Sequence, residues 1–334
     1  MKKLQFGLSG MGRIGKIHFQ NVQQYGFPVS IKGVYPATIK AKAWVEANGV
    51  SQFYEDFHDL VKDPDIDAVV IASPTAFHAE QIIMAAQAGK AIFSEKPIDL
   101  DRDKVTKVLK VLQQSQVPFF LGFNRRFDPS VGQIKKDIAS GQVGIPEIIK
   151  ITSRDPAPPP MSYIPSSGGL FLDMAIHDFD MACHLMDQKV IQVYSTATVF
   201  GDPQIAALGD IDTAVTTLTF ENGAIAVIDN SRHASYGYDQ RIEVFGSKGV
   251  CGMDNHQINQ YYLANNLGMH LPRPPHFFIE RYTNSYAKEM KVFIDHLLNN
   301  KRPAVNANDG LRALDLALAA QQSATKKRVI TVSI

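Results

Sequence analysis

The sequence predicts an α/β chain in two parts: a doubly wound parallel sheet in residues 1–122, then an α/β domain in 123–334 whose sheet is antiparallel. Three observations predict it. At 334 residues the chain exceeds what one ordinary hydrophobic core organises. Its first third alternates short apolar runs with amphipathic stretches, the pattern of buried strands covered by helices. Beyond Arg126 the rhythm changes to β-rich runs separated by short turn signals, as in hairpins.

Strands are predicted at Leu4 to Leu8, Ser30 to Val34, Ala68 to Ala72, Ala91 to Ser94 and Phe119 to Leu121, with helices at Ile14 to Gln24, Lys40 to Asn48, Ala76 to Ala88 and Asp101 to Ser115. Gly89 ends the third helix, and Asp99 or Asp101 caps the start of the fourth. After a helix at Val131 to Ser140 and a strand at Ile148 to Ser153 comes the stiff stretch Arg154-Asp155-Pro156-Ala157-Pro158-Pro159-Pro160. A helix at Phe171 to Met186 precedes strands at Val190 to Phe200, Thr213 to Phe220, Ala224 to Ser231 and Arg241 to Phe245. The turns Glu221-Asn222-Gly223 and Ser247-Lys248-Gly249 separate them, and helices at Tyr286 to Leu298 and Asn308 to Ala324 close the chain.

Composition narrows the function. Lysine and arginine number 34 against 33 acidic residues, which gives no electrostatic case for nucleic acid or an anionic membrane. Two cysteines, Cys183 and Cys251, are too few for a disulfide framework or a thiolate zinc site and fit a reducing cytoplasm. The first apolar stretch is broken by Gln5, Gly7 and Ser9, unlike a secretory leader, and no run approaches the ~18 residues of a membrane span. A small molecule is the expected partner.

Gly10-Met11-Gly12-Arg13-Ile14-Gly15 follows an apolar strand and opens an amphipathic helix, the context that makes GxGxxG a dinucleotide fingerprint of a Rossmann domain. Gly10 permits a tight turn, Gly12 lets a pyrophosphate reach N–H groups at the helix start, and Gly15 lets helix and strand approach. An acidic residue at the end of strand two would bind the NAD ribose, but the chain reads Tyr35-Pro36 there. With Arg13, Lys40 and Lys42 nearby, the choice between NAD and NADP stays open. Ser73-Pro74-Thr75 ends strand three at the cofactor edge, followed by His78, which is either part of that edge or a residue of the helix surface.

Strand four ends in Ser94-Glu95-Lys96-Pro97, so Glu95 and Lys96 reach the same edge. A lysine there donates to a ribose hydroxyl and a substrate hydroxyl together. Pro97 fixes the turn, its peptide isomer being open. On the helix at Phe171 to Met186, Asp173, His177, Asp180 and His184 are spaced i, i+4, i+7 and i+11, one polar stripe on an otherwise apolar helix. Oxidising an alcohol requires a base for the hydroxyl proton as hydride leaves carbon, and histidine titrates in the right range. His177 is assigned as base and Asp173 as its partner or a substrate ligand. A metal set of Asp173, His177 and His184, or a satisfied buried network, are the rival readings; no HExxH pattern supports the metal.

Together GxGxxG, Glu95-Lys96-Pro97, Gly122-Phe123-Asn124-Arg125-Arg126-Phe127-Asp128 and Asp173-x-x-x-His177 resemble the Gfo/Idh/MocA oxidoreductase family across nearly the whole chain. Arg154-Asp155-Pro156, the Gly168 to Asp178 segment and Tyr236-Gly237-Tyr238-Asp239 look most like its inositol 2-dehydrogenases. The resemblance implies a Rossmann domain plus an α/β domain with an open, mainly antiparallel sheet, through which members often form a homotetramer. It implies Lys96, Asp173 and His177 as the catalytic set, with substrate contacts at Asn124 or Arg125, Asp155, Tyr236 and Tyr286. The expected reaction is oxidation of a ring hydroxyl of myo-inositol to the 2-keto product. Another polyol or sugar, such as scyllo-inositol or glucose, is one alternative; a dinucleotide sensor without chemistry is another.

Overall fold

The computed structural model describes residues 3–24, 26, 28–36, 38–301 and 303–332. The chain divides into two compact units, residues 1–124 with 284–311, and residues 125–283 with 312–334. The first unit begins β1 (Leu4–Ser9), α1 (Arg13–Gln24), β2 (Val29–Tyr35), α2 (Ile39–Ala47), β3 (Gln52–Phe53) and α3 (Phe57–Lys62). It continues β4 (Ala68–Ile71), α4 (His78–Gln87), β5 (Ala91–Glu95), α5 (Arg102–Ser115) and β6 (Phe119–Gly122). The six strands are parallel in the order β3-β2-β1-β4-β5-β6. β4 and β5 are buried at every position, as strands covered on both faces must be. Asp101 caps α5 by accepting from the N–H groups of Asp103 and Lys104, and Gly89 takes a positive φ of 71° after α4. β3 and α3 lie outside the predicted elements because two and six residues are too short to display a period.

The second unit holds α6 (Pro129–Ala139), β7 (Pro146–Arg154), α7 (Ile164–Ser167), α8 (Ile176–Met186), β8 (Val190–Thr198), α9 (Pro203–Ala207), β9 (Thr213–Phe220), β10 (Ile225–Ser231), β11 (Asp239–Gly246) and β12 (Gly249–Met253). A small pair, β13 (Leu263–Asn265) and β14 (Gly268–His270), precedes α10 (Phe278–Asn299), α11 (Ala307–Lys326) and β15 (Ile330–Thr331). The seven-stranded sheet runs β12-β11-β7-β10-β9-β8-β15, antiparallel throughout except between β7 and β10. No short turn joins those two strands; about 70 residues of chain return the path in the same direction. Burial alternates along β9 and β11, so one face is covered and the other looks outward.

Residues 284–311, expected in the second domain, pack with the first. Phe293 on α10 meets the rings of Phe6, Phe93 and Phe120 at centroid separations of 5.9, 5.6 and 5.9 Å. An amphipathic helix announces that it covers a sheet but not which one. Among the described residues no helix is long and apolar enough to cross a membrane.

Candidate active site

In the first unit the strand order reverses between β1 and β4, and the loops leaving their carboxyl ends flank the crevice where such sheets bind ligands. The glycine loop leaves β1. Gly10 has φ +92°, its N–H donates to Tyr35 O at 2.7 Å, and a Cβ there would sit 2.3 Å from Ala72 O. A Cβ on Gly15 would lie 1.8 Å from Gly10 O, so helix and loop are in contact only because position 15 is glycine. Gly12 differs: a Cβ there would meet nothing within 4 Å. The protein has no internal packing reason for that glycine, and the open space over the start of α1 fits a pyrophosphate. Arg13 and Ile14 open the helix, Arg13 being exposed.

The neighbouring loops are tied together. Gln81 Oε1 accepts from Ser9 Oγ at 2.9 Å and from Ser73 Oγ at 2.8 Å, joining the ends of β1 and β4. Pro74 and Thr75 lead into α4. His78, expected at the cofactor edge, is buried behind it, with ring nitrogens 2.7 Å from Ser73 O and 2.8 Å from Pro97 O. Burial pushes its pKa down against the pull of the two carbonyls; the neutral ring donates its one N–H to a single carbonyl, and the ring packs between both loops. Glu95, expected to face the cofactor, turns inward to His18 Nε2 at 2.7 Å. Lys96 comes next, with a cis bond to Pro97. Tyr35, joined by a cis bond to Pro36, packs edge-on against Phe57 at 5.8 Å. Lys42 pairs with Glu55 at 3.3 Å, while Lys40 is exposed.

In the second unit a wider π-type turn, Phe171–Ala175, leads into α8. From Leu170 to Cys183 only Asp173 and His177 are not buried. The four-residue stripe therefore breaks at Asp180, which is buried in a two-pronged ion pair with Arg126. His184 is half-buried, its carbonyl taken by Lys135 Nζ at 2.6 Å. Asp173 is held by Arg232, 3.6 Å from Oδ2, and accepts from Tyr163 Oη at 3.3 Å. Arg232 is itself fixed by Asp210 at 2.8 Å, and Asp210 accepts from Leu170 N, which ties it to the start of the turn.

Beneath lies a buried polar group. Arg125 donates to Asp178 Oδ1 at 2.6 Å, Ser153 Oγ at 3.3 Å and Tyr238 Oη at 3.2 Å, and stacks over the Tyr282 ring. Asn230 donates to the other oxygen of Asp178, and Gln240 joins Ser153 to Tyr282. Desolvation pushes Asp178 up against the pull of Arg125. Asp155 is pushed up to about 6, burial outweighing Arg125 and Arg232. Tyr236 does not join this group: its hydroxyl donates to Asp239 beside Arg154, on the opposite face of β7 from Ser153. Tyr238, two residues on, is the tyrosine that faces inward. Asp178, Ser153, Tyr238, Gln240 and Arg232 were given no site role from the sequence, because their partners lie far along the chain and no local spacing marks the pairs.

Asn124 and Tyr286 belong to the first unit and are buried there, Tyr286 edge-on to His18 at 5.9 Å. The first unit thus offers a glycine cradle, Ser73 to Thr75 and Lys96; the second offers Asp173 and His177 over an arginine-centred base.

Residues 4–123 match the family model described as an oxidoreductase family with NAD-binding Rossmann fold, and residues 131–251 match the GFO/IDH/MocA C-terminal domain. The chain is 43% identical over 327 residues to the myo-inositol 2-dehydrogenase of Thermotoga maritima, covering 98% of each. It is 43% identical to the inositol 2-dehydrogenase of Rhizobium meliloti, covering 99% of each. Among solved structures, scyllo-inositol dehydrogenase from Lactobacillus casei with bound NAD(H) and scyllo-inositol superposes with a TM-score of 0.93 at 32% identity, covering 99% of each chain. The family model describes residues 4–123 as NAD-binding, which names NAD where the missing carboxylate after β2 left NAD and NADP open. With both of its domains matched by the family's models, the chain belongs to the Gfo/Idh/MocA oxidoreductases.

Proposed function

We propose that the chain is an NAD-dependent inositol dehydrogenase that works in the cytoplasm as a homotetramer and oxidises a ring hydroxyl of myo-inositol to the 2-keto compound. The observation that carries the catalytic half of this reading is that Asp173 and His177 are the two unburied side chains on an otherwise buried stretch. His177 takes the hydroxyl proton, and Asp173, braced by Arg232 and Tyr163, orients the substrate. Lys96 donates to the reacting hydroxyl and favours its ionised form. Bound NAD supplies the hydride acceptor. Asp155 and Arg125 contribute polar groups suited to a substrate with a hydroxyl on every carbon. The inositol-named relatives support the substrate class.

The test is a matrix of NAD and NADP against myo-inositol, scyllo-inositol and glucose, read as reduced-nicotinamide absorbance. Turnover with NAD and an inositol is expected. Absence of turnover on every polyol, with NAD still bound, would overturn the reading in favour of a sensor. His177→Ala and Lys96→Ala should each lower kcat by orders of magnitude while leaving NAD affinity and the melting temperature near wild type.

A further inference from the structure

His18 on α1, Glu95 at the end of β5 and Glu289 on α10 lie together inside the first unit, their ligating atoms all within 4.8 Å of one another. His18 and Glu289 are 0% exposed and Glu95 is buried. The walls are apolar or bare: His18 meets Phe93 edge-on at 4.8 Å and Tyr286 at 5.9 Å. A Cβ on Gly122 would stand 3.3 Å from the Glu95 carboxyl, which rests against that glycine. Among the described residues neither oxygen of Glu289 has a hydrogen-bond donor. The proposed reaction uses none of these groups except as neighbours of Lys96.

Two carboxylates in such a place cannot both be charged without a compensating partner. His18 Nε2 serves Glu95 at 2.7 Å, which leaves Glu289 with nothing to accept. Either a cation or a proton supplies what is missing. A tetrahedral cation would hold its ligand atoms roughly 3.3 Å apart, from metal–ligand bonds of about 2.0 Å. The 2.7 Å between His18 and Glu95 is instead the length of a hydrogen bond with its proton in place.

We propose that Glu289 is a neutral acid at physiological pH, sharing its proton with the Glu95 carboxylate, and that this His18–Glu95–Glu289 set positions the Glu95-Lys96-Pro97 turn. On this reading the Glu289 O–H, within 4.8 Å of the Glu95 carboxylate, is directed at a group that already accepts from His18, so Glu95 is held inward from two sides. Because Lys96 follows Glu95 directly at the end of β5, fixing Glu95 inward fixes the backbone from which Lys96 leaves. Burial and the charge of Glu95 both push Glu289 well above the ordinary carboxylate range. The titratable groups facing it are His18 from α1 and Glu95 from β5, and Tyr286 from its own helix packs on His18. The positioning of Lys96 rests on the function proposed above; the shared proton does not.

The folded state binds a proton at Glu289 that the unfolded chain releases above about pH 4.3. This contribution to stability is therefore complete below that pH and declines as pH rises toward the folded pKa. Glu289→Gln keeps the shape and neutrality of the acid but cannot ionise. Infrared difference spectra of the NAD-bound protein at pH 7 should show a protonated-carboxyl C=O band in wild type that Glu289→Gln removes. The melting temperature of Glu289→Gln relative to wild type should rise between pH 5 and pH 9. In kinetics Glu289→Gln should keep kcat within about threefold, while Glu289→Ala loses tenfold or more. An unchanged band, a pH-independent melting difference, a Gln variant that does not fold, or one equivalent of metal lost in Glu289→Gln would each overturn the proposal. An unimpaired Lys96→Ala would remove only the link to Lys96, the band remaining.

Discussion

Arg125 has five N–H donors in one plane, and the second unit uses that geometry to reach Asp178, Ser153 and Tyr238 together. Arg125→Met leaves Asp178 buried and charged without its partner, which costs about 3–5 kcal/mol and should appear as a large fall in melting temperature. Arg125→Lys keeps the charge but not the fork, so a lysine should recover only part of the loss. Asp155 carries a different signal. Its folded pKa of about 6 lies above the ordinary value, so the folded state holds a proton that the unfolded chain has lost from about pH 4 upward. Wild-type stability should decline from pH 4 to pH 6.5 by this contribution, and Asp155→Asn should flatten that segment of a melting-temperature profile. A variant profile parallel to wild type would count against the shift. The GFNRRFD segment was legible as a motif, but its internal division of labour was not. Arg125 reaches Asp178 and Arg126 reaches Asp180, partners that lie more than fifty residues away in sequence.

At the scale of elements, the strand–loop–helix unit β1–α1 separates packing from binding within one motif. Gly15→Ala drives a methyl into the Gly10 carbonyl and should destabilise by ~1–3 kcal/mol or more. Gly12→Ala meets no protein atom, so its melting temperature should stay near wild type, while NAD affinity falls at least about tenfold, or 1.4 kcal/mol, by titration calorimetry. Equal losses of stability in both variants would mean that Gly12 also has a structural role. The glycine spacing was readable because Gly10 and Gly15 answer to local steric demands and Gly12 to the close approach of a ligand. The stripe on the helix at Phe171 was only partly readable: Asp173, His177 and His184 stay partly open, but Asp180 is buried against Arg126. A partner more than fifty residues away leaves no local residue signature. Strand type was legible from alternation, but the parallel β7–β10 pair was not, because pairing across the sheet depends on chain elsewhere.

For the whole molecule, the outward face of the seven-stranded sheet is the feature that composition concealed. An antiparallel sheet with one wet face normally alternates polar residues outward. Here the pairing registers align Val250 with Phe245, Phe245 with Ile148, and Ile148 with Ile225, an apolar row across four strands. Val250, Phe245 and Ile225 are 59%, 46% and 41% exposed, and Tyr194 and Val215 add to the same surface. An exposed apolar row across several strands fits an association site, and a sheet face that meets its own copy through a two-fold axis is self-complementary. The homotetramer proposed for this chain places that face at an interface. Phe245→Lys with Ile225→Lys puts two charges into the row and, if the face is buried between copies, makes association costly while leaving each covered core intact. Light scattering should find four chains per particle for wild type and fewer for the double variant, with circular dichroism unchanged. A wild type of one chain per particle, or a double variant still of four, would exclude this face as the interface.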